Sequence, residues 1–235
     1  MKRLFIGLGV TVLLTAAIVA ALIIASRDVA TEIQTDDNSA PEQVRIACVG
    51  DSITEGYGAT GYPGYLQSLV GADVQVENFG VSGSEAMTTG RFPYTTTSDY
   101  SDSLAADAGV VVLMLGSNDA IDSAFNARDF RSAYDALVQR YLALDHPPKL
   151  LLCIPIAPYG LAAEDYGFDT AIIGEIRESI TAVASDHGLP VLDLYTPTDG
   201  QGSWYQSDGV HPNDTGAEAI AGIIYQKLQE EQYID

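Results

Sequence analysis

The stretch Val110-Val111-Val112-Leu113-Met114-Leu115-Gly116-Ser117-Asn118-Asp119 decides the fold. Its first six residues are apolar with no polar residue at alternate positions. A strand with one face in water alternates; one without alternation has both faces covered. The three valines favour extended backbone. Gly116 stops the run, and a polar cluster follows at once. The reading is a central parallel strand whose carboxyl end opens on a polar loop.

Outward from this strand the pattern alternates. Short apolar runs at 44–49, 74–79, 150–154 and 191–194 read as further strands. Helices fit 63–70, 98–106, 170–187 and 214–230. Another is capped by Asn126 and carries Phe130, Ala133, Tyr134, Leu137, Val138 and Tyr141 on one face. Pro63 suits a first turn, and Gly188 a helix stop. Such alternation implies an α/β fold: a five-stranded parallel sheet with helices on both faces. Ligands bind such sheets at the carboxyl ends of the strands, where strand order reverses.

The chain has 235 residues, enough for one domain with a full core. Residues 4–25 form an uncharged apolar run behind Lys2 and Arg3. The run is longer than a secretory h-region and near the ~20 residues that span a bilayer. No convincing cleavage site follows. The expectation is a signal-anchor at 1–26, a polar linker at 27–43 and a catalytic domain at 44–235, exported on its membrane anchor, or secreted if the segment is cleaved. Acidic residues number 32 against 11 basic ones, and two of the basic ones lie in the anchor. Such a surface repels nucleic acid, and no basic groove for phosphates is present. A monomer is expected.

The loops after the strands carry the chemistry. They hold Gly50-Asp51-Ser52-Ile53, Gly80-Val81-Ser82-Gly83 and Gly116-Ser117-Asn118-Asp119. Asp208-Gly209-Val210-His211-Pro212 precedes the last helix. A serine nucleophile needs a base at neutral pH. His146 and His187 each sit at a helix end and read as surface residues near helix carbonyls. His211 has Asp208 three residues before it, and a carboxylate there would orient the imidazole. By itself this pair also reads as a helix-entry turn. The Ser52 and Gly83 N–H groups and the Asn118 amide could face an oxyanion. Gly83 alone also reads as a turn glycine, and Asn118 as an Asx-turn.

In order and spacing these blocks resemble the SGNH hydrolases, also known as GDSL lipases and esterases, over about residues 45–230. The resemblance implies a flavodoxin-like three-layer sandwich with strand order 2-1-3-4-5. It implies Ser52 as nucleophile, His211 as base and Asp208 as its orienting acid. Ser52, Gly83 and Asn118 would form the oxyanion hole. The rate should rise as His211 loses its proton. No cofactor is implied, and no His-Glu-x-x-His metal motif is present. The Gly-x-Ser-x-Gly elbow of α/β-hydrolases is absent.

Other readings are weaker. Gly56-Tyr57-Gly58-Ala59-Thr60-Gly61 has the G-x-G-x-x-G form of a dinucleotide site, with Glu77 at the ribose distance. However, six residues separate it from the strand, and Pro63 follows. A non-catalytic glycan- or wall-binding module leaves the full reactive set unused. For the substrate, Asp51, Tyr159 and Trp204 are candidate contacts, and segment 87–100 a candidate pocket wall. Aromatics among hydroxyls suit a sugar. The expectation is removal of short acyl groups, acetyl above all, from carbohydrate or small esters. A lysophospholipase or broad lipolytic esterase is the alternative. With the implied strand order, Cys48 and Cys153 lie about 10 Å apart, too far for a disulfide, so two buried thiols are expected.

Overall fold

The computed structural model describes residues 44–160 and 165–234. The expected membrane segment at 1–26 and linker at 27–43 lie outside the described residues. Among the described residues no helix is long and apolar enough to cross a membrane.

Five strands form one parallel sheet: β1 (Val44–Gly50), β2 (Val74–Gly80), β3 (Val110–Met114), β4 (Lys149–Ile154) and β5 (Val191–Asp193). Their order is β2-β1-β3-β4-β5, so the expected flavodoxin-like arrangement holds. Every residue of β3 is buried, as its unbroken apolar run requires. The edge strand β5 is only three residues long and stops at Asp193, one residue short of the sequence reading.

Helices cover both faces. α1 (Ser52–Glu55) is one short turn, followed by α2 (Tyr62–Val70) and α3 (Ser98–Ala105). α4 (Ala127–Leu142), α5 (Thr170–His187), α6 (Tyr195–Thr198) and α7 (Asp214–Glu230) complete the set used below. α4 starts where expected: Asn126 accepts hydrogen bonds from the Arg128 and Asp129 N–H groups at 3.0 and 3.1 Å. α5 stops at Gly188, whose φ of 64° is left-handed.

The two cores follow from the strand pleat. Ala47, Val49, Val111, Leu113 and Leu152 point toward α4 and α5, meeting Phe130, Leu137, Ile176 and Ile180. Ile46, Cys48, Val110, Val112 and Leu151 point the other way, toward α2 and α7, meeting Leu66, Ile220 and Ile224. Cys48 and Cys153 are both free and buried. Val112 of β3 pairs with Cys48 on one side and Leu151 on the other, which keeps the thiols apart. Burial pushes the Cys48 thiol up to about 12, so it stays protonated and inert.

Candidate active site

The reversal point of the sheet lies between β1 and β3, and Ser52 sits at the end of β1. Gly50 and Gly80 face each other in register on β1 and β2. A Cβ on Gly50 would overlap the Thr54 hydroxyl and come within 2.6 Å of the Met114 carbonyl oxygen; one on Gly80 would overlap the Glu55 backbone. Glycine at both positions lets α1 rest directly on the sheet edge. Asp51 caps α1, accepting from the Ile53 N–H at 3.0 Å.

Ser52 Oγ lies 2.9 Å from His211 Nε2. His211 Nδ1 lies 2.7 Å from Asp208 Oδ2. The other oxygen, Oδ1, accepts the N–H groups of Val210 and His211 at 2.9 and 3.0 Å. One carboxylate thus fixes both the turn and the ring. Burial would raise the Asp208 pKa, but the bonds from His211 and from the two backbone N–H groups outweigh it and hold the carboxyl below its ordinary range. Asp208 is therefore an anion at neutral pH, placed to face an imidazolium.

Gly83 has φ 79°, a backbone conformation that side chains disfavour. Asn118 spends one amide hydrogen on the Ser84 carbonyl at 3.0 Å. The amide carries a second hydrogen besides this one. The Asp119 carboxylate grips the Ala86 and Met87 N–H groups, each at 2.9 Å. This bridge ties the β2 loop to the β3 loop, so Gly83 and Asn118 are held relative to each other.

Some expected site residues are placed elsewhere. Asp51 is fully buried beneath α1 rather than facing a substrate. Burial raises its pKa to about 6. Trp204 packs beside the α2–α7 core, with its carbonyl accepting from the Asn213 N–H at 2.8 Å. Tyr159 does sit by the reactive turn: its N–H donates to the Gly209 carbonyl at 2.7 Å. Segment 87–100 is mostly exposed or half-buried, with Met87 and Tyr94 buried; Phe92 lies 4.0 Å from where a Gly83 Cβ would lie. His146 and His187 face the carboxylates of Asp107 and Asp135, not helix carbonyls. Free acids lay within reach, and a carboxylate outcompetes a carbonyl for an imidazole.

Sequence reasoning missed Tyr57. Its ring lies over His211 with centroids 4.6 Å apart. Gln206 holds it there, donating from Nε2 to the Tyr57 carbonyl at 2.7 Å. The glycines around Tyr57 are helix boundaries: Gly56 ends α1 and Gly61 starts α2. The G-x-G-x-x-G run has a structural cause, and its tyrosine was the informative residue.

The sequence pattern described as "GDSL-like Lipase/Acylhydrolase family" matches residues 48–219. This chain belongs to that family. An acetylxylan esterase from Xylanibacter ruminicola is 32% identical over 206 residues, covering 78% of this chain. The chain matches only 42% of that protein's length. A lipase/acylhydrolase from Enterococcus faecalis shares the fold with a TM-score of 0.62 at 22% identity, over 80% of this chain and 96% of that one. A carbohydrate acetylesterase from Sinorhizobium meliloti does so with a TM-score of 0.61 at 18% identity, over 80% and 99%.

Proposed function

We infer that this GDSL-like hydrolase removes short acyl groups, acetyl above all, from carbohydrate or small esters by a serine acyl-enzyme route. The observation that carries the reading is the unbroken chain from Ser52 Oγ through His211 to Asp208, with contacts of 2.9 and 2.7 Å. His211 Nε2 takes the Ser52 proton as Oγ bonds to the ester carbonyl carbon. Negative charge gathers on the carbonyl oxygen, facing the Ser52 and Gly83 N–H groups and the Asn118 amide. The C–O bond to the alcohol breaks, and His211 returns its proton to the departing oxygen. Water then repeats the sequence on the acyl-serine, releasing the acid.

Three exposed aromatic rings support a sugar as the alcohol part. Tyr57 covers His211, Phe92 stands beside Gly83, and Tyr159 is tied to Gly209; they are 57%, 43% and 42% exposed. Flat apolar rings at the mouth of a polar site stack well on sugar faces. The acidic surface favours a neutral glycan over an anionic one. The acetylxylan esterase relative points the same way.

The test is a panel of p-nitrophenyl esters of rising acyl length, run beside acetylated xylan, with Ser52→Ala as control. Acetate release from xylan, lost in Ser52→Ala, is expected. A preference for acyl chains beyond about eight carbons would favour the lipolytic reading. No hydrolysis of any ester would leave a glycan-binding module. The apolar run at 4–25 supports a membrane anchor with the domain outside the cell. Protease added to intact cells should then remove the domain; full protection would refute export.

A further inference from the structure

An apolar slot opens beside the reactive serine. Ile53, Ser117 and Val210 line it, and each is the chain neighbour of Ser52, Asn118 or His211. Ile156 and Ile176 form its walls, and its free volume is about 20 Å3. A cavity of that size admits about one water-sized group. An acetyl methyl fits; a long acyl chain does not.

What ends the slot is specific. Arg177 and Tyr195 also line it, and Arg177 lies over the Tyr195 ring, 4.4 Å from its centroid. Arg177 Nη2 also lies 3.2 Å from Asp193 Oδ2. Asp193 is itself fixed, because its carboxylate accepts the Thr196 hydroxyl at 2.6 Å and the Thr196 N–H at 3.2 Å. Beyond Arg177, between α5 and β5, lies an open surface groove of about 710 Å3, lined by Arg177, Asp193, Ala182 and Val191. Ile154 borders both spaces. Arg177 therefore stands as a partition between a narrow slot and a roomy groove.

The geometry points to Arg177, pinned by Asp193 and Tyr195, as the wall that limits the acyl group to two or three carbons. The inference rests on the ester-hydrolase reading above and names the specificity determinant of that site. Arginine suits the position: its planar fork stacks on the tyrosine while pairing with the carboxylate, which lysine cannot do together. Removing it joins slot to groove, so a longer chain could run past α5.

The experiment measures kcat/KM for p-nitrophenyl acetate, butyrate and octanoate with the full chain, as wild type, Arg177→Ala, Arg177→Lys and Ser52→Ala. Wild type is expected to prefer acetate. In Arg177→Ala the octanoate-to-acetate ratio should rise on the order of tenfold or more. Arg177→Lys should fall between the two. An unchanged ratio in a folded Arg177→Ala, with acetate hydrolysis still dependent on Ser52, overturns the wall and leaves the esterase reading intact. A wild type that hydrolyses no ester, or does so equally with Ser52→Ala, overturns both. Should Arg177→Ala fail to fold, Tyr195→Val opens the same wall from its other side and must raise the ratio likewise.

Discussion

Asp208 divides its two oxygens between two tasks, and this division predicts how its replacement behaves. Oδ1 holds the backbone of the turn, while Oδ2 holds the His211 ring. Asp208→Asn keeps an acceptor for the turn but sets an amide or a neutral oxygen against Nδ1. The ring loses its fixed tautomer and its counter-charge. A loss of ~10³–10⁴ in kcat is expected, with KM close to wild type and a modest fall in melting temperature. Near-normal kcat would show that Asp208 orients nothing. The DxxH turn was legible in the sequence because both partners lie in one turn. Tyr57 over His211 was not, because a ring contact between residues 154 positions apart leaves no local pattern.

At the scale of elements, the short helix α1 is held by glycines rather than by its own length. A single turn has almost no intrinsic stability. Its place is set by Asp51 at its start and by the Gly50–Gly80 platform beneath it. Gly80→Ala forces a methyl into the Glu55 backbone, so α1 must lift and carry Ser52 away from His211. Activity should fall by a hundredfold or more, with roughly 1–3 kcal/mol of lost stability, read by urea unfolding. Asn126→Ala makes the contrasting case. It removes the α4 cap at a cost of about 1 kcal/mol, and activity at 25 °C should be unchanged. If both variants lost activity alike, the platform would have no special role. The sequence showed α4 and α5 well, through apolar stripes, caps and the Gly188 stop. It could not show that β5 ends at Asp193, since that end is set by the bond network of Thr196 and Arg177.

For the whole molecule, buried acids set the response to pH. Burial raises Asp51 to about 6 and Asp119 to about 6. Burial, then the neighbouring Asp119 and Asp122 charges, raise Glu85 to about 6. In the unfolded chain these groups titrate near 4. Between those limits the folded protein binds more protons than the unfolded one, so stability falls as pH rises through that window. Asp208 and Asp193 have lowered values. The stability they contribute is present above the ordinary carboxylate range and is lost as pH falls through their own. Stability should therefore peak at pH ~4, at the foot of that window. The melting temperature should be higher there than at pH 7.5 by roughly 5 °C or more, and Asp119→Asn should flatten the difference. A melting temperature that climbs steadily from pH 5 to 8 would contradict this account.

The amino-acid sequence by itself determined the layered architecture, because hydrophobic period and helix caps are local and the sheet must bury what they leave apolar. It also marked the reactive set, because each loop at the strand ends carries its polar cluster beside a glycine. Only the tertiary structure decided which candidates sit at the surface of the site. Asp51 went inward, Trp204 settled half-buried beside the α2–α7 core, Tyr57 and Phe92 came forward, and Arg177 came to line a slot. Those outcomes depend on where helices from distant parts of the chain settle against one sheet edge, and packing in three dimensions leaves no periodic trace in one.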